Sequence, residues 1–192
     1  MTDATKDPAA PQLAAYALWL VPTIQEQKDQ FQNLIKELAS FEEPSPIFQP
    51  HITLLHPIPL STKLNEIHLK LKESIKSISS KYSLNEFEVK LNKAQKGEKY
   101  YQSVLSPVIP SNTLLELRKE IENQFNLKNL PNYFPHLSLF YGGIKSNRRD
   151  ELAEIANNRI KEFGNLQVGE IVIVSCIGTA ENWEIVGKEK LF

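Results

Sequence analysis

The chain has little to spend on several kinds of chemistry. Its single cysteine, Cys176, excludes an internal disulfide and a cysteine-only metal cage, and fits a reducing compartment. With only 7 glycines, the chain shows no Walker or dinucleotide-binding pattern, and Gly142-Gly143 reads as a turn. No run of about 18 apolar residues is present, which argues against a membrane-spanning helix. Charge of one sign is also missing: 22 basic against 23 acidic residues give a formal net charge of −1. A duplex nucleic acid bound without regard to sequence needs a basic face, so that partner is not expected, whereas a small anionic substrate stays open. Met1 to Gln12 is polar, without the apolar stretch of a secretory signal, and is expected to be a flexible tail. The cytoplasm is the expected address, with peripheral attachment to an endomembrane such as the Golgi left open. At 192 residues, 41% hydrophobic and 23% charged, the rest reads as one globular domain over 13–192.

Periodicity gives the elements. Ala14 to Val21 is a short apolar run closed by Pro22 and reads as a buried strand. Phe31, Leu34, Ile35, Leu38 and Phe41 recur at helical spacing between Ile24 and Glu42, and Glu43-Pro44-Ser45-Pro46 ends that helix. Phe48 to Leu55 reads as a strand. A second helix starts at Ser61 as N-cap, with Leu64, Ile67, Leu71, Ile75 and Ile78 on one face. Phe87 to Leu91 alternates as a half-buried strand, Gly97 marks a turn, and Tyr100 to Leu105 reads as the returning strand. Ser111 caps a third helix with Leu114, Leu117, Ile121 and Phe125 inward. Past Asn129 to Asn132, Tyr133 to Tyr141 reads as a strand. Asn147 to Phe163 is a fourth helix, Gln167 to Ile177 a long β-branched strand, and Trp183 to Phe192 one more strand. Helices and strands intermix without a linker, so the fold class is α+β.

Two segments echo each other. Phe48-Gln49-Pro50-His51-Ile52-Thr53-Leu54 and Phe134-Pro135-His136-Leu137-Ser138-Leu139 both contain Pro, His, aliphatic, hydroxyl, Leu, and their histidines lie 85 positions apart (136 − 51). In a strand, side chains alternate between faces, so His51 shares a face with Thr53 and His136 with Ser138. If the two strands are neighbours, two imidazoles and two hydroxyls converge. Imidazole titrates near pH 6.5, so one ring can accept a proton from water while the other gives one to a leaving alkoxide. The hydroxyls can hold phosphoryl oxygens during in-line displacement. Neither His pairs with another at the i, i+4 spacing of a zinc helix, so no metal is expected. His56 has no counterpart in the second segment, where Tyr141 stands, and His68 reads as a solvated helix residue.

The paired motif resembles the signature of the 2H phosphoesterase superfamily, and more narrowly the small cyclic nucleotide phosphodiesterases of fungi and plants. Tyr16 to Pro22, Ser45 to Thr53, Gly97 to Val104, Tyr133 to Tyr141 and Asn182 to Gly187 carry that resemblance. It implies a bilobal α+β fold, with two pseudo-symmetric lobes of antiparallel sheet and outer helices around a central cleft. His51 and His136 match the catalytic histidines, and Thr53 and Ser138 the phosphate-binding hydroxyls. Tyr141 matches a tyrosine of the site, Trp19 an aromatic near the bound nucleotide, and Tyr101 a further substrate-binding ring. The implied partners are small nucleotide cyclic phosphates, with no cofactor and the chain acting as a monomer. The implied activity opens ADP-ribose 1″,2″-cyclic phosphate to the 1″-phosphate, in the metabolism of tRNA-splicing by-products. It also converts nucleoside 2′,3′-cyclic phosphates to 2′-phosphates. The alternatives are an RNA-end phosphodiesterase of the 2′-5′ RNA ligase-like branch, with Lys96, Lys99, Lys145, Arg148 and Arg149 as its basic groove, and a non-catalytic nucleotide- or RNA-binding module.

Overall fold

A computed structural model describes residues 9–42, 44–82, 85–128 and 130–191. Met1 to Pro8, Glu43, Ser83, Leu84, Asn129 and Phe192 lie outside the described residues. With them go most of the expected tail, the first residue of the expected helix stop and the last residue of the expected final strand. The described elements are β1 (Leu13–Pro22), α1 (Gln25–Ser40), β2 (Ile52–Pro59), α2 (Leu64–Tyr82), β3 (Phe87–Leu91), β4 (Gln95–Lys96), β5 (Val104–Ile109), α3 (Asn112–Phe125), β6 (His136–Phe140), α4 (Ser146–Phe163), β7 (Leu166–Gly178) and β8 (Glu184–Lys190).

All the strand pairs are antiparallel, and the sheet runs β1-β2-β6-β5-β3-β7-β8, with β4 on β5 and a further β1–β7 pairing. Pairing is extensive from β2 through β1 and β7 to β8, and again from β6 to β5. Between β2 and β6 a single register pair, Ile52 with Leu137, joins the two sets. The strands therefore diverge from that point, and the faces beside it open into a cleft.

One face of the sheet carries the main core. Leu18 and Leu20 of β1, Ile52 and Leu54 of β2, Leu137 and Leu139 of β6, and Ile171 and Ile173 of β7 are all at most 1% exposed. They pack with Phe31, Leu34 and Leu38 of α1, Ile67 and Leu71 of α2, Leu114, Leu117 and Ile121 of α3, and Leu152 and Ala156 of α4. Each fully buried large side chain removes enough apolar surface to contribute about 1.5–3 kcal/mol. The opposite face is thinner: Ala17, Trp19 and Val21 of β1 meet Val172, Val174 and Cys176 of β7. The period-2 alternation along β1 and β7 assigns one side to the helices and the other to the cleft.

Ser111 caps α3 as expected, its hydroxyl accepting from the Leu114 amide at 3.2 Å. Several boundaries differ from the sequence reading. The two histidine strands begin at Ile52 and His136 rather than at Phe48 and Tyr133, because Pro50 and Pro135 lack the N–H that a ladder needs. The first of them also runs on to Pro59. The second helix starts at Leu64, three residues past Ser61. The largest correction concerns Tyr100 to Gln102, expected in a strand and found as a 3-10 turn. Its return strand begins only at Val104.

That turn is held tightly. The Gly97 amide donates to the Ser103 carbonyl at 3.0 Å, the Gly142 amide to the Tyr100 carbonyl at 3.1 Å, and the buried Ser103 hydroxyl to the Gly142 carbonyl. Gly97 is needed for closeness: a Cβ there would stand 2.0 Å from the Gln102 carbonyl oxygen. Gly97→Ala must therefore push the turn aside. The expected result is a lower melting temperature, by the about 1–3 kcal/mol typical of overpacking, and a raised KM, because the turn walls the cleft. Calorimetry and steady-state kinetics on the same preparation check both.

Candidate active site

The cleft holds a cavity of about 550 Å³ whose lining includes Trp19, His51, Thr53, Tyr101, His136, Ser138 and Tyr141, the seven residues singled out in the sequence. Register explains the convergence. Trp19 pairs with Thr53 across β1 and β2, and Ile52 with Leu137 across β2 and β6, so the residues flanking that last pair meet on the other face. In β2 the register with β1 slips between Trp19↔Thr53 and Leu18↔Leu55. This bulge puts both Leu54 and Leu55 in the core, and it turns His56 toward the cavity beside Thr53. Simple alternation from His51 does not foresee that, and the absence of a counterpart in the second segment left His56 without an expected role.

The two histidines are held alike. His51 Nδ1 lies 2.7 Å from the Gln49 carbonyl, and His136 Nδ1 lies 2.7 Å from the Phe134 carbonyl. A carbonyl only accepts, so Nδ1 carries the proton in both rings, and Nε2 is left for a substrate. Their settings differ. His51 is 5% exposed, with Trp19 stacked on it at a centroid distance of 3.6 Å and 10° between planes. Burial, opposed by the Gln49 bond and reinforced by the charge of His136, pulls the His51 pKa down to about 4. His136 is more open and stacks on Phe134 at 5.4 Å. Its pKa is also lowered, chiefly by desolvation, against the Phe134 bond and with the Lys99 charge adding to the fall. The first proton taken up by the pair therefore goes to His136.

Around them the polar groups differ in freedom. The Ser138 hydroxyl donates to the Tyr101 carbonyl at 3.2 Å and also bonds the Tyr141 phenol. Thr53 lines the cavity, and among the described residues its hydroxyl has no hydrogen bond of that kind. Tyr141 is 3% exposed, stacks on Phe48 at 3.6 Å, and burial raises its phenol above the ordinary value. The Tyr101 ring sits between Tyr100, Tyr141 and Trp183, with its hydroxyl donating to the Pro11 carbonyl. Burial first, then the Tyr100 phenol, pushes the Tyr101 pKa up to about 12. Trp183, quoted from the sequence only within a resembling stretch, lines the cavity with its ring 6.0 Å from that of Trp19. Cys176 also lines it, and burial pushes its thiol up to about 12, so it is a poor nucleophile at neutral pH.

Charge in the cavity is one-sided. Although the chain has 23 acidic residues, no Asp or Glu is among the described residues lining it, while Lys99 and Arg118 are. An anion fits such walls. Of the basic residues weighed as a groove, Lys99 alone lines this cavity among the described residues. Lys96 pairs with Asp150, Arg148 with Glu42 and Glu151, and Arg149 donates to the Ile144 and Gly97 carbonyls. His68 is tied to Glu189 at 2.9 Å, away from the cavity. Among the described residues no three His, Cys, Asp or Glu side chains stand where they could share one metal ion, and no helix is long and apolar enough to cross a membrane.

Comparison with known proteins fits this geometry. The chain is 23% identical over 207 aligned residues to a 2′,3′-cyclic-nucleotide 3′-phosphodiesterase of Kluyveromyces lactis, covering 90% of this chain and 96% of that one. It is 25% identical to a cyclic phosphodiesterase of Arabidopsis thaliana, covering 89% and 92%. Among solved structures, LigT of E. coli complexed with 3′-AMP superposes with a TM-score of 0.51 at 12% identity, covering 95% of this chain and 98% of that one. A phosphoesterase crystal structure gives 0.52 at 13% identity, covering 94% and 98%. These two likenesses concern the fold. Residues 14–191 match the family model described as cyclic phosphodiesterase-like protein, and the chain therefore belongs to that family of 2H phosphoesterases.

Proposed function

We propose that the chain hydrolyses the cyclic phosphodiester of nucleotides without a metal ion, opening nucleoside 2′,3′-cyclic phosphates to 2′-phosphates and ADP-ribose 1″,2″-cyclic phosphate to the 1″-phosphate. The second substrate would connect it to by-products of tRNA splicing. The observation that carries this reading is the matched pair of imidazoles, each tethered through Nδ1 to the carbonyl two residues back, in a cavity that no carboxylate lines among the described residues. The same matched tether, with the echo in sequence, supports an internal pseudo-twofold relation between the two histidine segments.

Roles follow from the difference in basicity. His51, the harder ring to protonate, is the neutral base that takes a proton from water as the water oxygen bonds to phosphorus. His136, the easier one to protonate, delivers its Nε2 proton to the ring oxygen as the P–O bond breaks. Thr53 and Ser138 hold the non-bridging oxygens, and Lys99 adds positive charge near the phosphoryl group. Aromatic rings at Tyr101 and Trp183 offer faces or edges to a base, whereas Trp19 already has one face on His51.

The pH dependence tests the roles. The productive free enzyme has His51 neutral and His136 protonated. With uridine 2′,3′-cyclic phosphate, whose base does not titrate in the acid range, kcat/KM should fall below about pH 4 as His51 is protonated. It should fall again on the alkaline side from a midpoint below about 6.5, as His136 loses its proton. Bound phosphate favours the charged rings, so the alkaline limb of kcat should lie higher than that of kcat/KM. An alkaline midpoint in kcat/KM above the ordinary histidine value would overturn the lowered basicity of His136 on which the assignment rests. The activity itself is tested by product analysis in excess chelator: uridine 2′-phosphate is the expected sole product. Loss of turnover on chelation, or a 3′-phosphate product, would overturn the reading.

A further inference from the structure

Among the described residues two buried side-chain polar atoms have no hydrogen-bond partner, His56 Nε2 and Tyr133 Oη. Both residues wall the same cavity that holds His51 and His136. An unpartnered buried polar group is destabilising, and such atoms are scarce in folded proteins, so two in one cavity call for a cause. A third group of the same cavity stands against Tyr133. Arg118 of α3 is 6% exposed, its guanidinium carbon 4.8 Å from the centre of the Tyr133 ring. Glu122 takes its Nε and Nη2 edge, which leaves further N–H groups of the five that a guanidinium offers.

We propose that the wall formed by His56, Arg118 and Tyr133 is a second anion subsite, which binds a phosphate carried on the ribose 5′ oxygen of the cyclic phosphate substrate. This rests on the functional reading above. All three side chains can donate. A neutral imidazole has one N–H, which either nitrogen can carry; burial lowers the basicity of His56 and raises the phenol of Tyr133, so the first stays neutral and the second stays protonated. Glu122 occupies one edge of Arg118, and the donors it leaves suit phosphate oxygens. Stereochemistry selects the 5′ position. The cyclic phosphate uses O2′ and O3′, so a ribose anchored between the histidines extends two arms, the base from C1′ and the 5′ arm from C4′. The rings of Tyr101 and Trp183 offer the base its surface. The donor wall is left for the other arm.

The test compares kcat/KM for uridine 2′,3′-cyclic phosphate, its 5′-phosphate, and a dinucleotide ending in the same cyclic phosphate. The wild-type chain should favour both 5′-phosphorylated substrates by about tenfold, the worth of one hydrogen bond to a charged group. Arg118 is buried against Glu122 and its removal endangers folding, so the informative variant is Tyr133→Phe. It should cut the preference at least about threefold, a partial loss for one donor of the set. It should also raise the melting temperature, since the orphan hydroxyl is gone. Equal rates on all three substrates, an unchanged preference in Tyr133→Phe, or a gain confined to the dinucleotide would each overturn the subsite. The last outcome would mean that an upstream nucleoside is read. Titration calorimetry with uridine 2′-phosphate and uridine 2′,5′-bisphosphate separates this proposal from the functional reading. If no cyclic phosphate turns over, that reading falls, and tighter binding of the bisphosphate, weakened in Tyr133→Phe, still supports the subsite.

Discussion

Replacing His51 or His136 by alanine is expected to lower kcat/KM on a 2′,3′-cyclic nucleotide about 10³-fold, the middle of the range for one positioned acid or base. Each ring meets the requirement in a different way. His51 is locked by the Gln49 carbonyl and the Trp19 face, so its Nε2 direction is fixed and its burial keeps it unprotonated. His136 has the matching tether to Phe134 but more contact with solvent, and it takes the proton first. Because the two act on one transition state, the double variant should be little worse than either single one. The residual activities should carry a signature. His136→Ala should lose the alkaline limb of kcat/KM, and His51→Ala the acid limb. Trp19 stacks on His51, so Trp19→Leu should reduce the rate less than His51→Ala and move the acid limb upward, as a more solvated ring accepts its proton more readily. Circular dichroism and melting curves separate these effects from unfolding, which matters most at His51, where alanine leaves the Trp19 face bare. Retention of full activity in either histidine variant would end the acid–base reading.

Much of this site was legible because strands impose alternation. A Pro-His-aliphatic-hydroxyl-Leu pattern puts the histidine and hydroxyl on one face wherever the strand goes, and the aliphatic residues Ile52, Leu54, Leu137 and Leu139 entered the core as that rule requires. The four helices followed from their apolar stripes for the same reason, burial of one face. What failed to show depended on irregular backbone. The 3-10 turn at Tyr100–Gln102 has the apolar and aromatic content of a strand, and its shape is set by bonds to distant Gly142, which no local pattern encodes. The bulge at Leu54-Leu55 turned His56 inward, and only pairing with β1 reveals it. Arg118 hides on an otherwise apolar helix face, in an i, i+4 pair with Glu122 that looks from sequence like surface charge. A cue did exist there. An arginine one residue after the core position Leu117 must either leave the interface or find a ring, and it found Tyr133.

The second large effect concerns the hydroxyls, and it should be unequal. Thr53→Ala is expected to cost about 10²–10³ in kcat, as for loss of one preorganised donor to a developing oxyanion. Ser138→Ala should cost less. In the free protein the Ser138 proton is already committed to the Tyr101 carbonyl at 3.2 Å, so donating to a phosphoryl oxygen means giving up that bond. The net gain on reaching the transition state is correspondingly smaller. Among the described residues no such bond holds Thr53. The order follows from differential binding: only an interaction stronger in the transition state than in the resting protein accelerates the step. Tyr141→Phe should fall between a silent change and Ser138→Ala, since the phenol acts on the substrate through the serine that it orients. Thr53→Ser keeps the donor and should retain activity within about tenfold, the loss coming from added rotamer freedom. Single-turnover rates on one cyclic nucleotide, measured below and above the midpoint of the alkaline limb, would expose the order. If Ser138→Ala proves as damaging as Thr53→Ala at both pH values, the serine proton is not held back by Tyr101, and the two hydroxyls work as equals despite their different partners.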